Sequence, residues 1–111
     1  MADYVPRQGD VITLTFDPQS GHEQRGRRPA VVVSKDLFNK HTGLCIVCPV
    51  TGTHRNHPFH VPIPAGEKLT GFVMVEQVKS VDFRSRKAKR LGGSPVALLE
   101  EVLSILDACI Y

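Results

Sequence analysis

Residues 22 to 34, HEQRGRRPAVVVS, place Glu23, Arg25, Arg27 and Arg28 in a short Gly-containing segment that runs through Pro29 into an apolar stretch, Ala30 to Val33. Guanidiniums and a carboxylate crowded together are poor material for a core. They suit a site that grips a phosphate, because arginine offers a rigid fork of donors and stays charged at any working pH. Further along, TGLCIVCPVTGT carries a second apolar stretch that ends in Thr51 and Thr53. A hydroxyl at a strand end can be aimed at the same phosphate. His22, beside Glu23, adds an imidazole able to give or take a proton near neutral pH.

Such groups need elements to hold them. Alternating or β-branched runs predict strands over Val11 to Phe16, Ala30 to Ser34, Leu44 to Val50, Phe59 to Ile63 and Phe72 to Val81, with Gly, Pro, Asn and Asp between them. Short strands at these spacings favour a small barrel or sandwich over a parallel sheet. The period then changes. Ser94 is a fitting N-cap, with Pro95 at the first helical position, where its missing N–H does no harm. Val96, Leu99, Leu103, Leu106 and Ile110 form an apolar stripe that Leu98, Val102 and Ile105 widen, while Glu100, Glu101, Ser104 and Asp107 fall mostly opposite. This predicts an amphipathic helix packed on the barrel, without a catalytic role.

A chain of 111 residues fits one domain, and a domain that size buries roughly two-thirds of its unfolded surface. No apolar run approaches the roughly 20 residues needed to span a bilayer, and MADYVPRQGD lacks the apolar region of a signal peptide. Three cysteines, an odd count, point to reduced thiols and a cytoplasmic protein. All the lysines and arginines lie within residues 1 to 93, which carry a net +6, while residues 94 to 111 carry −3. That split suits a polyanionic or an acidic protein partner, and also an ordinary solvated surface. The run Arg84, Arg86, Lys87, Lys89 and Arg90 has the same two readings.

Two metal patterns fall short. Cys45 and Cys48 form a C-x-x-C, but their odd spacing in an apolar strand sends the sulfurs to opposite faces, so buried structural thiols are expected. There is no second pair to complete a zinc site. His54, His57 and His60 are evenly spaced, and exposed loop histidines are expected there. No metal and no cofactor are expected.

The ordered set Gly9-Asp10, Phe16-Asp17-Pro18, Glu23-Gln24, Gly26, Arg28-Pro29, Pro49, Thr51 and Gln77-Val78-Lys79-Ser80 resembles the MazF/PemK family of toxin endoribonucleases, over nearly the whole chain. The resemblance implies a fold that is mainly β with helices: a small SH3-like β-barrel with a C-terminal amphipathic helix. It also implies a homodimer, metal-independent cleavage of single-stranded RNA at short sequences, and neutralisation by a MazE-like antitoxin with an acidic, flexible C-terminal segment.

RNA can be cut without metal because its own 2′-OH can attack the adjacent phosphorus. An enzyme must help remove that proton, protonate the leaving 5′-oxygen and stabilise the charged phosphoryl oxygens. By resemblance Arg28 and Thr51 are the catalytic pair, Arg28 clamping the transition state and Thr51 hydrogen-bonding the scissile phosphate. Glu23 is either the base or an ion-pair partner that orients Arg28. Candidate RNA contacts are Asp17, Arg25, Arg27, Arg86, His57, Gln77 and Lys79. Gln77 and Lys79, placed at i and i+2 of a strand, share a face; they either read a base edge and a phosphate or form a polar outer surface. Asp17 and Pro18 also read as plain turn chemistry. Two other classes compete: a gyrase-binding toxin of the CcdB kind, which would use the Cys109-Ile110-Tyr111 end, and a non-catalytic SH3-like RNA-binding module.

Overall fold

The computed structural model describes residues 4–15, 27–54 and 56–111, so Asp17, His22, Glu23 and Arg25 lie outside the described residues. In chain order the elements are β1 (Asp10–Thr15), β2 (Arg27–Val32), α1 (Asp36–Thr42), β3 (Leu44–Thr51), β4 (His60–Pro62) and β5 (Phe72–Met74). A 3-10 turn (Val75–Gln77), β6 (Lys79–Asp82), β7 (Lys89–Gly93) and α2 (Val96–Ile110) follow. Every strand pair is antiparallel, and the sheet runs β4-β5-β3-β2-β1-β7 with β6 also paired to β3.

Alternation along the strands divides the interior in two. Ile12, Leu14, Ala30, Val32, Cys45 and Val47 pack on one side with Val81 and Phe83. Val31, Cys48, Val50, Val61 and Val73 pack on the other beneath Leu98, Val102 and Leu106 of α2. Cys45 and Cys48 do point to opposite faces, and burial pushes both thiols up to about 12. The sheet is strongly layered but its path is not closed into a ring. The fold is thus mainly antiparallel β, barrel-like, with a C-terminal helix.

Three local expectations need correction. The run from Phe72 to Val81 is two short strands, because the Val75–Gln77 turn breaks the pairing with β3 between them. Gln77 and Lys79 therefore do not share one strand face. The basic run 84–90, a turn and the start of β7, is mostly exposed as its solvated reading expects, with Arg86 donating to the Thr15 carbonyl at 3.3 Å and Arg90 paired to Asp10 at 3.1 Å. Ser94 does not cap α2: its hydroxyl donates to the Gly9 carbonyl at 2.7 Å, and Pro95 takes the cap position. On α2 the buried row is Leu98, Val102 and Leu106, whereas Val96 and Ile110 are 71% and 63% exposed. The helix is rotated so that its i, i+4, i+8 row covers β4 and the 3-10 turn.

Helix α1 has no strong apolar period, and a buried polar residue seats it instead. Asn39 donates through Nδ2 to the Pro6 carbonyl at 2.7 Å and accepts from the Ser34 hydroxyl at 2.5 Å. The same Ser34 oxygen accepts the Ile46 N–H at 2.8 Å. The network fastens the N-terminal segment, the end of β2 and β3 to one another. Asn39→Ala would strand the buried Pro6 carbonyl and the Ser34 hydroxyl. We expect it to cost about 2 kcal/mol in urea unfolding at fixed protein concentration; a loss below about 0.5 kcal/mol would mean that the network is not what seats α1.

Candidate active site

The site is set by strand register. β2 and β3 pair Ala30 with Pro49, Val31 with Cys48 and Val32 with Val47. Arg28 and Thr51 each lie two residues beyond the last pair of that ladder, Ala30–Pro49, at the same end of the two strands. Alternation agrees: Arg28 lies on the same face as Ala30 and Val32, and Thr51 on the same face as Cys45 and Val47, all four being members of one core. Arg28 is paired with Leu14 of β1, and Thr51 with Phe72 of β5, which in turn pairs with Pro62 of β4. Two rows therefore end at this edge of the sheet, Leu14–Arg28 across β1 and β2 and Thr51–Phe72–Pro62 across β3, β5 and β4. A guanidinium and a hydroxyl at adjoining strand ends are of types that can share one phosphate.

Both side chains are partly exposed. The Thr51 Oγ1 accepts the Thr53 N–H at 3.2 Å, which leaves its own hydrogen to donate outward. Gly71 locks Thr51 from behind. Its φ is +129°, and a Cβ there would overlap the Thr51 carbonyl oxygen. The sequence reading treated this glycine as turn punctuation. The available signal was its place just before a strand, in a stretch that must pass close to another backbone.

The remaining candidates divide. Arg27, one residue along, faces away from Arg28; its guanidinium donates to the Thr13 carbonyl at 2.8 Å, to the Thr13 hydroxyl at 3.1 Å and to the Lys87 carbonyl. Arg86 is tied to the Thr15 carbonyl, and the Thr15 N–H donates back to the Arg86 carbonyl at 2.9 Å. Both arginines have the geometry of braces that hold the ends of β1 and β2, where residues 16–26 are inserted. Gln77 and Lys79 are exposed on the flank of β3, Lys79 opposite Val47.

His54 is an exposed loop residue, as expected, whereas His57 is half-buried and His60 lies on β4, contrary to expectation. His54 lies on the Phe72 ring at 4.9 Å, and His57 stacks on His60 at 4.5 Å. The His60 side chain is only 3% accessible and bonds Glu76 through Nε2 at 2.9 Å. Burial would raise the Glu76 carboxyl, but the His60 hydrogen bond and neighbouring charge outweigh it and hold the group below its usual range. Glu76 was not singled out from the sequence, because it has no motif and its partner is 16 positions away. The Cys109-Ile110-Tyr111 end is exposed.

The chain is similar to several known proteins. The family described as PemK-like, MazF-like toxin of type II toxin-antitoxin system matches residues 7–110. The endoribonuclease toxin MazF of Escherichia coli K12 is 43% identical over 89 residues, covering 80% of this chain and 79% of that protein. The endoribonuclease toxin ChpB of the same strain is 40% identical over 108 residues, covering 93% and 92%. Among solved structures, a MazE-MazF crystal form from Deinococcus radiodurans superposes with a TM-score of 0.89 at 44% identity, over 97% of both chains.

Gly71→Ala tests how tightly the row is set. It forces a residue with a Cβ into a left-handed backbone and against Thr51. We expect a loss of about 1–3 kcal/mol, with shifted backbone resonances at Thr51 and its neighbours in β3. Unchanged stability together with unchanged Thr51 resonances would show that the strand end has slack.

Proposed function

The chain belongs to the PemK-like, MazF-like toxins of type II toxin–antitoxin systems, and on that footing we propose that it is an endoribonuclease that cleaves single-stranded RNA through the RNA's own 2′-hydroxyl. The products are a 2′,3′-cyclic phosphate and a 5′-hydroxyl. The observation that supports this reading is the β2–β3 ladder, which ends at Ala30–Pro49 with the partly exposed Arg28 and Thr51 each two residues beyond it at the same end.

In this mechanism Arg28 clamps the equatorial oxygens of the phosphorane, where negative charge builds up. Thr51, its oxygen already held by the Thr53 N–H, donates its hydrogen to a phosphate oxygen and keeps the group in line with the attacking 2′-oxygen. Glu23, from the segment between β1 and β2, takes the 2′-OH proton. The bond from phosphorus to the 5′-oxygen breaks as the 2′-oxygen bonds to phosphorus; Arg28 gives the departing 5′-oxygen a proton and recovers one from Glu23 through solvent. Every charge and proton in this sequence is handled by side chains, so no metal is required. The RNA runs from Arg28 and Thr51 past Gln77 and Lys79, with Asp17, Arg25 and His57 as further contacts, while Arg27 and Arg86 brace the loop that carries Glu23. A gyrase-binding toxin would need no such phosphate clamp.

The acting form is a cytoplasmic homodimer, and its partner besides RNA is an acidic, MazE-like antitoxin. Leu91 and Val96 are 41% and 71% exposed beside an apolar cleft of about 340 Å³ between β7, the start of α2 and Ile63–Leu69, a surface suited to self-association. The basic body favours an acidic segment that competes with RNA.

Cleavage of a long RNA in EDTA, with chemical assignment of the new ends, tests the mechanism. A cyclic phosphate and a 5′-hydroxyl are expected, and a 5′-phosphate would overturn it. Arg28→Ala should slow cleavage about a hundredfold to a thousandfold, the usual cost of a lost transition-state donor. Arg28→Lys should fail as well, because a point charge does not replace a fork. Full activity in a folded Arg28→Ala variant would remove Arg28 from the chemistry.

A further inference from the structure

His57, His60 and Glu76 come from the loop after β3, from β4 and from the 3-10 turn, and their ligand atoms lie within 4.8 Å of one another. His60 pairs with Met74 across the β4–β5 ladder, so it lies on the face that carries Pro62, Phe72 and Thr51. Its Nε2 is 2.9 Å from Glu76 Oε2, while Nδ1 is buried and meets no partner among the described residues. A second imidazole, His57, is stacked 4.5 Å away with its ring plane tilted by 19°. The two imidazoles line a hollow of about 290 Å³, and with the Glu76 carboxylate beside His60 they form a suitable set to hold a cation.

We infer that His57, His60 and Glu76 bind one zinc-class divalent cation, which ties the loop after β3 to the Val75–Gln77 turn and slows RNA cleavage. Two imidazoles with one carboxylate is a zinc donor set that leaves a coordination position for water. In a tetrahedral zinc site the bonds are about 2.0–2.1 Å, so neighbouring ligand atoms sit roughly 3.3 Å apart. His60 Nε2 and Glu76 Oε2 already have nearly that spacing, and zinc replaces the proton they share. The remaining gap closes when the half-buried His57 ring turns, releasing the Phe59 N–H that now donates to its Nδ1 at 3.1 Å. The metal here is a clasp and takes no part in the chemistry. Fastening the loop to the residue next to Gln77 stiffens the flank along which RNA is proposed to pass, and this consequence rests on the nuclease reading above. The binding itself does not.

The test uses full-length protein, stripped of metal, carrying Cys109→Ser because that exposed thiol would also take zinc. Calorimetry with zinc chloride should show one micromolar site per chain. His60→Gln and Glu76→Gln should each weaken it about tenfold or more, since even second-shell changes cost that much. Zinc should raise the melting temperature of the parent and leave Glu76→Gln unmoved. In EDTA the parent and Glu76→Gln should cleave RNA alike, while saturating zinc should slow only the parent several-fold. Equal zinc affinity in the parent and both variants would overturn the site, and tight binding with unchanged cleavage would overturn its effect on RNA. An EDTA-treated parent that binds zinc yet never cleaves RNA would instead overturn the nuclease reading and leave the site standing.

Discussion

The structure depends on the register of one strand. β3 pairs with β2 along one edge and with β6 and β5 along the other, and its alternate side chains enter both cores. A slip of one residue would turn Cys45 and Val47 out of one core and Cys48 and Val50 out of the other. The same slip would carry Thr51 to the far face, away from Arg28. Burial of the strand interior therefore positions the reactive strand end, and the apolar residues in the middle supply the precision that polar residues at an exposed end lack.

Other contacts guard that register from the sides. The Tyr4 hydroxyl donates to Asp10 at 2.5 Å, and Arg90 approaches the other Asp10 oxygen at 3.1 Å. Burial, followed by the Asp10 hydrogen bond, pushes the Tyr4 phenol far above its ordinary range, so it remains a donor at any physiological pH. Asp10 opens β1 and Arg90 lies on β7, so this trio fixes the edge of the sheet and the N-terminal segment together. Asn39 does the same work at the end of β2. The ends of β1 and β2 that flank residues 16–26 are thus fastened to their neighbours.

Much of this was legible in the sequence. The strands around Val11, Ala30 and Leu44 follow from alternation and β-branching, and the opposed cysteines follow from an odd spacing in a strand. Arg28 and Thr51 stood out because charged and hydroxyl groups directly flank apolar runs. What escaped notice depends on distant partners. Helix α1 is seated by one buried amide whose ligands are Pro6 and Ser34, which no periodicity reveals. The basic run from Arg84 is mostly solvated, but the ties of Arg86 and Arg90 to Thr15 and Asp10 could not be read, because those partners come from β1. The break at Val75–Gln77 was hidden within a continuous β-like run. The stripe on α2 was found, but its rotation is set by β4 and the turn beneath it. Gly71 and Glu76 matter only through residues that the fold brings beside them.

The central claim is that Arg28 and Thr51 act on one phosphate because the β2–β3 ladder leaves both at the same end of its two strands. A double-mutant cycle measures this most directly: single-turnover cleavage by the parent, Arg28→Ala, Thr51→Ala and the double variant on one defined RNA. Groups that act as a unit give strongly non-additive losses. The account predicts that the double variant is about as slow as the slower single variant. Losses that simply multiply would contradict it, placing the two residues in separate steps or on separate phosphates.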